Sequence, residues 1–269
     1  MSRSTMAGTD QLRAAVRLVA IAALTAALWA VWLAGAVALA ASRDARRRWR
    51  YRSMRAWARG ITRIACIEVA VEGRVPRPPY LLVANHLSYV DIIVLSSLVD
   101  GCYVSRGDVA SWPVVGLLCR SMRVIFVDRS RRADVQRVSR LMEERLAEGE
   151  GVIFFPEGTS SAGDRVGAFK PSLFDCAVRS RAPVHYAALG YETGPADPPA
   201  YLSVCWWGDM TFMPHLFALL GVARFRATVR FGETPIAGDD RKELAETLWA
   251  AVGARFVPVV AAEDAGVRA

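Results

Sequence analysis

Residues 80–91 read YLLVANHLSYVD, an unbroken apolar run leading straight into Asn85, His86 and, five positions after the imidazole, the carboxylate of Asp91. A short apolar run without alternation, preceded by the Pro-rich VPRPP of residues 75–79, reads as a strand buried on both faces, as in a parallel sheet. The following DIIVLSSLV is helical by spacing. A helix opening near Ser88 holds Asp91 in its first turn, from where it can turn back toward His86. A carboxylate on one ring nitrogen fixes the tautomer and raises the basicity of the other, which makes a general base. The plainer alternatives are a structural histidine and an aspartate that caps the helix.

The same texture extends in both directions. IEVAVEG at 67–73 alternates, and VIFVD at 124–128 and GVIFF at 151–155 are compact apolar runs. Between them, residues 133–147 place Val135, Val138, Leu141, Met142 and Leu146 on one helical face, closed by Gly149 and Gly151. Residues 173–179 form a further helix candidate. PVHYAALGY (183–191), LSVCWW (202–207) and FRATVRFG (225–232) read as strands, and residues 241–257 as a last helix. Strand alternating with helix predicts an α/β fold, a mixed and mostly parallel sheet flanked by helices, with functional loops at strand ends. This domain is expected over 67–260, entered through a linker at 71–79, with a flexible tail at 261–269.

Upstream the composition changes. Residues 18–41 hold 24 positions without a charged side chain, enough for a helix of about 36 Å. A dense basic block follows instead of a cleavage site, so the run is expected to be retained. From Arg43 to Arg63 there are nine Arg and one acid, Asp44, which by the positive-inside tendency puts the following domain on the cytoplasmic side. Trp49, Tyr51 and Trp57 suit a lipid interface, and the spacing of Met54, Trp57, Ile61, Ile64 and Ala65 predicts a helix lying flat on it. Residues 1–66 thus form a membrane module, an N-terminal apolar helix with a basic interfacial helix.

Charge and cysteine usage narrow the function classes. The net charge of +8 over 269 residues sits entirely in the N-terminal third, where residues 1–80 carry 14 Arg against 4 acids; the remainder carries 20 basic and 22 acidic side chains. The adjoining apolar helix accounts for that positive charge, so no nucleic-acid partner is expected. A hydrophobic content of 53% excludes a disordered chain. Five scattered Cys and three His offer no zinc-ligand spacing, and no metal or cofactor is expected.

Three further stretches carry chemistry. In GVIFFPEGTSS, Glu157, Gly158 and Thr159 leave the end of an apolar strand, where Gly158 permits close backbone approach and its neighbours offer polar atoms to a substrate. In VIFVDRS, Arg129 sits at a strand end from which a guanidinium can take a phosphate by two parallel hydrogen bonds. Lys170 is one of only two lysines in the chain.

Taken in order, NHLSYVD, VIFVDR, FFPEGTS and the Pro183-led strand resemble the glycerolipid acyltransferase family, typified by 1-acylglycerol-3-phosphate acyltransferases, over roughly residues 80–190. The resemblance implies His86 as general base and Asp91 as its orienting carboxylate. It implies substrate binding by Asn85, Arg129, Glu157, Gly158, Thr159 and Lys170, with Arg129 and Lys170 toward phosphate. The implied reaction moves an acyl group from acyl-CoA or acyl-carrier protein, as co-substrate, to a lysophospholipid hydroxyl, making this a membrane-bound O-acyltransferase. Lysophosphatidate is the first acceptor, another lysolipid such as lyso-ornithine lipid the alternative, and a silent membrane-surface lipid binder the third reading. Backbone amides near the NH and EGT turns are the candidate oxyanion donors. Two positions depart from the family's pattern: Arg123, where a Gly is usual, and the polar pair His185 and Tyr186. CWWGDMTFMPHLF at 205–217, with Asp209 and His215, lies outside the four motifs and reads as a packed aromatic strand and turn, or as a wall of the acceptor pocket.

Overall fold

A computed structural model describes residues 7–128 and 131–260 of the chain. Two long helices, α1 (Gly8–Ala38) and α2 (Arg43–Ile64), precede β1 (Ile67–Glu72) and β2 (Tyr80–Ala84). Then come α3 (Val90–Leu98), β3 (Cys102–Arg106), a 3-10 turn at Gly107–Ser111, α4 (Val115–Ser121) and β4 (Ile125–Val127). α5 (Arg132–Ala147), β5 (Gly151–Phe154), a 3-10 turn at Pro171–Phe174, α6 (Asp175–Ser180) and β6 (Val184–Thr193) follow. The chain continues with α7 (Ala200–Ser203), α8 (Phe212–Gly221), β7 (Phe225–Phe231) and α9 (Arg241–Gly253).

The seven strands form one sheet in the order β1-β7-β6-β2-β5-β3-β4. All neighbours are parallel except β6 and β7, which run antiparallel from Ala187 opposite Phe231 to Thr193 opposite Phe225. β2 is central and buried at all five positions, which is why it lacks alternation. Its residues divide between two cores: Leu82 and Ala84 face α3 and α8, while Leu81 and Val83 face α5, α6 and α9. The C-terminal end of β2 therefore delivers residues 85–91 to the edge of the sheet, between helical layers.

LSVCWW, expected as a strand, is instead the single turn α7 followed by irregular chain. β6 runs two residues past the expected Tyr191 and takes β7 along its whole C-terminal half, so no sheet edge remains there for another strand. Pro198 and Pro199 start the turn, and the backbone N–H of Trp206 is claimed by the carbonyl of Leu87 at 2.8 Å. β3 and α8 are elements that the sequence reading did not contain.

The helical pair is packed onto the domain. α1 and α2 form an antiparallel hairpin in which the Trp49 indole donates to the carbonyl of Trp32 (3.1 Å) and that of Trp57 to Thr25 Oγ1 (3.0 Å). These side chains, expected at a lipid interface, stitch the hairpin because an indole N–H takes a protein acceptor when one lies within reach. Arg17, buried within α1, donates to the carbonyls of Leu220, Val222 and Ala223 just beyond the end of α8, and Arg13 donates to that of Gly221. The last carbonyls of a helix lack internal partners and attract positive charge, so two guanidinium groups cap α8 from another helix. Several arginines of the basic block also serve the fold: Arg50 binds Glu150, Arg55 binds Asp100 and Arg59 binds the carbonyl of Ser97. The face of α1 turned from the protein stays apolar and exposed, with Leu12, Val16, Val19, Val31, Leu33 and Val37 each roughly half exposed or more.

Candidate active site

The chain leaves β2 through Asn85, which is buried and whose amide exchanges two hydrogen bonds with the backbone of Leu189 on β6, at 3.0 and 2.7 Å. Both functional ends of that amide are thereby committed to the sheet. Asn85, expected to bind substrate, is placed here as a clamp, because a buried amide at a strand end must satisfy its own donors and acceptor.

His86 follows. Its Nδ1 lies 2.7 Å from Asp91 Oδ2, and a carboxylate can only accept, so Nδ1 carries a proton and, in the neutral ring, Nε2 is the nitrogen with the lone pair. The side chain is 20% exposed, while that of Asp91 is fully buried. Asp91 Oδ2 also accepts from the backbone N–H of Leu87 (2.8 Å) and Ser88 (3.0 Å), and Oδ1 accepts from the Tyr191 hydroxyl. Burying a carboxylate is tolerated only when it is well hydrogen-bonded, and here four donors, three on Oδ2 and one on Oδ1, serve it. Burial, together with Asp91, pushes the Tyr191 hydroxyl well above its usual range, so it remains a donor. The imidazole stacks on Phe155, with ring centroids 4.2 Å apart and planes 13° from parallel. Ring orientation is thus set by one hydrogen bond and one flat neighbour.

Glu157 comes off the end of β5 and turns inward. Oε1 accepts from the backbone N–H of His86 (2.7 Å), and Oε2 from that of Gly167 (2.8 Å). Burial pushes its carboxyl up to about 7, against the pull of those two amides. A Cβ at position 167 would sit 2.6 Å from Oε2, which explains glycine there. Gly158 adopts φ +85°, a turn conformation that L side chains resist. Thr159 and Lys170 are exposed on the rim beyond this turn. The structure therefore brings together His86, Asp91 and Glu157, with Glu157 acting on the His86 backbone. Arg129 lies outside the described residues.

The amides of His86, Leu87 and Ser88 are all taken by the two carboxylates, so the NH turn, expected to offer oxyanion donors, has none left; the turn after Glu157 remains. Arg123 has φ +61°, the left-handed region where glycine is favoured, and it is held by ion pairs to Glu148 (2.9 Å) and Glu150 (3.2 Å). Tyr186 fills the space over Gly232, and His185 lies edge-on to Tyr80, both toward the start of β6 and away from His86.

Sequence reasoning missed Tyr191, Phe155 and Gly167. A phenol closing the apolar run AALGY (187–191) was the available signal for Tyr191, but only the pairing of β2 with β6 shows which carboxylate it reaches. The segment 205–215 was also underrated. Ser160 Oγ donates to the carbonyl of Trp206, whose N–H serves Leu87, so one residue bridges the two catalytic loops. His215 Nε2 donates to the carbonyl of Cys205 (3.0 Å), leaving Nδ1 to accept from the Tyr89 hydroxyl (2.9 Å). Its ring is buried, which lowers its basicity and favours this neutral form. This stretch, read as a packed strand and turn, is irregular chain leading into α8.

The structure thus sets a partly exposed imidazole against a buried carboxylate at the C-terminal edge of a mostly parallel sheet. Residues 66–189 match the acyltransferase family. Lyso-ornithine lipid O-acyltransferases of Rhizobium meliloti and Rhodobacter capsulatus are 37% identical over 189 residues (64% of this chain, 64% of that protein) and 32% identical over 214 residues (74% and 76%). The chain thus spans just under two thirds of the length of the first of these relatives. The 1-acyl-sn-glycerol-3-phosphate acyltransferase of Neisseria gonorrhoeae is 32% identical over 155 residues (54% and 61%). The crystal structure of the 1-acyl-sn-glycerophosphate acyltransferase PlsC of Thermotoga maritima superimposes with a TM-score of 0.64 over 90% of this chain and 96% of that one, at 20% identity, which speaks for the fold. This chain belongs to the acyltransferase family, and its long apolar helix associates it with membranes.

Proposed function

We propose that this protein transfers a fatty acyl group from a thioester to the hydroxyl of a membrane lysolipid, with lyso-ornithine lipid as the acceptor. The observation that carries the reaction is the open Nε2 of His86, held by a buried Asp91 that accepts hydrogen bonds from four donors. Nε2 takes the proton of the acceptor hydroxyl as its oxygen attacks the thioester carbonyl. The carbon–sulfur bond of the tetrahedral intermediate then breaks, and the departing thiolate takes the proton from the imidazolium. Asp91 steadies the transient positive charge on the ring. Glu157 holds the His86 backbone, and so the height of the ring above Phe155. Acyl-CoA or acyl-carrier protein supplies the thioester.

The choice of acceptor is supported by relatives named for lyso-ornithine lipid, whose sequences align over more of this chain than that of the Neisseria glycerol-phosphate enzyme. The second reading is lysophosphatidate, favoured by Lys170 on the rim and by Arg129 in its motif. Membrane attachment through the outward face of α1 places the domain at the cytoplasmic surface, where the basic block meets anionic head groups. Arg13 and Arg17, near the start of α1, are tied to α8, and α2 brings the chain back along the same domain. The hairpin therefore lies along the domain.

An acceptor panel assayed with both donor types tests this. Lyso-ornithine lipid should be acylated with a kcat/KM about tenfold or more above lysophosphatidate, a discrimination within reach of a few polar contacts. The opposite ranking transfers the assignment to the second reading. Turnover on no acceptor would overturn the enzyme reading itself.

A further inference from the structure

The loop between β3 and β4 carries a surface that neither catalysis nor folding explains. Val114, at φ +63°, is a β-branched residue in a backbone region that such residues avoid, and it points outward with 67% of its surface exposed. Leu117, one turn along α4, is 48% exposed. The Trp112 ring packs on Phe212 at 5.5 Å between centroids, which places this loop beside the start of α8, where Met213 is 58% exposed. Phe212 in turn lies 5.1 Å from the ring of Tyr89, three residues after His86. The patch therefore borders the active-site entrance.

Helix α8 links this patch to α1. α8 runs from Phe212 at this patch to Gly221, where Arg13 and Arg17 of α1 cap its end. Along the way Pro214 and Ala218 are exposed, so solvent-facing apolar residues lead from the rim toward Leu12, Val16 and Val19. Large apolar side chains clustered at the surface mark an interaction site. Arg120, on the last turn of α4, adds positive charge at its border, the combination that a phospholipid surface accepts.

We infer that Trp112, Val114, Leu117 and Met213 form a second membrane contact, which enters the same lipid surface as α1 and opens the His86 site directly onto it. This rests on the lipid-acyltransferase reading for its purpose. An acceptor lipid then slides laterally from the bilayer to the imidazole without crossing water, and the strained loop conformation serves to present Val114 to the lipid.

The test uses the full chain with Cys66→Ser and Cys119→Ser, removing the exposed and half-buried thiols. A cysteine replacing Val114, Met213 or, as control, the exposed Glu233 is labelled with an environment-sensitive fluorophore. The protein is reconstituted into vesicles of phosphatidylcholine and phosphatidylglycerol. Labels at 114 and 213 should be quenched by spin-labelled lipid and shielded from aqueous iodide, and the label at 233 the reverse. Iodide quenching at 114 equal to that at 233 overturns the proposal. So does shielding that varies with protein-to-lipid ratio without lipid quenching, since the patch then binds a second copy. In parallel, Val114→Asp with Met213→Asp should raise the KM for vesicle-embedded acceptor about tenfold or more, while turnover on detergent-dispersed acceptor stays within about twofold. An equal loss in both formats overturns the proposal. A chain inactive on every acceptor but quenched by lipid at 114 would defeat the enzymatic reading and leave the membrane contact standing.

Discussion

Two buried carboxylates, each facing a basic side chain, divide the labour of this molecule. Asp91 holds His86 at 2.7 Å, and Glu150 holds Arg50 at 2.6 Å. Both are well hydrogen-bonded: Asp91 by two amides, an imidazole and Tyr191, Glu150 by two guanidinium groups and the Tyr51 hydroxyl. The difference lies in what the partner has left over. Arg50 is sealed in and has no basic lone pair at any working pH, so its pair can only fasten α2 to the start of β5. His86 is partly open and, as a neutral ring, has a lone pair on Nε2, so the same kind of anchor leaves an atom fit for the proposed base. Burial alone does not make a site; an unspent, accessible atom does.

The comparison breaks first at His86. His86→Ala should lower kcat about 10²- to 10⁴-fold with a melting temperature close to that of the parent, measured by acyl transfer and thermal unfolding on one preparation. Near-normal turnover would remove the general-base role. Glu150→Ala should do the converse, costing about 3–5 kcal/mol of stability by leaving Arg50 buried without its anion, while folded enzyme keeps its kcat. Replacing both partners, with Arg50→Met and Glu150→Leu, should restore most of that loss. If the double variant is as unstable as the single one, packing and not charge is what Glu150 supplies.

Glu157 sharpens the contrast through pH. Its folded carboxyl retains the proton up to about 7, whereas the unfolded chain releases it near the ordinary carboxyl value. Between those values the folded state binds more protons, so this group's contribution is complete at acid pH, falls as pH rises toward 7, and is flat above it. Glu157→Gln should abolish that slope, up to about 3 kcal/mol across the window, as read from denaturant unfolding at a series of pH values. A slope unchanged in the variant would assign the titration elsewhere. The smallest effect belongs to Tyr89→Phe, which leaves His215 Nδ1 without its donor; about 1 kcal/mol of stability should be lost with a rise in acceptor KM and little change in kcat.

How much of this was legible in sequence follows from the range of each interaction. The His86–Asp91 pair closes within five residues, inside one strand-to-helix turn, so local spacing reveals it. The same holds for Gly158 at a tight turn and for the apolar runs of β2 and β5, whose lack of alternation reports burial on both faces. Arg123 is an instructive middle case: the sequence marks it as a departure, and its positive φ supplies the reason. Tyr191, Phe155 and Gly167 were not legible, because each acquires its role through strand register or loop closure. The basic block was misjudged in part, since charge on a helix does not say whether its partner is lipid or protein.

The sequence by itself determined the class of fold, the His86–Asp91 pairing and the long apolar helix, because helix period, strand burial and a five-residue spacing are properties of neighbouring residues. Only the tertiary structure decided that Asn85 clamps the sheet, that Glu157 grips the His86 backbone, that α1 and α2 pack as a hairpin on the domain, and that 205–215 bridges the catalytic loops. The contacts that tie these parts to the domain join residues 46 to 203 positions apart. They depend on which elements the folded chain sets side by side, and no local pattern records that.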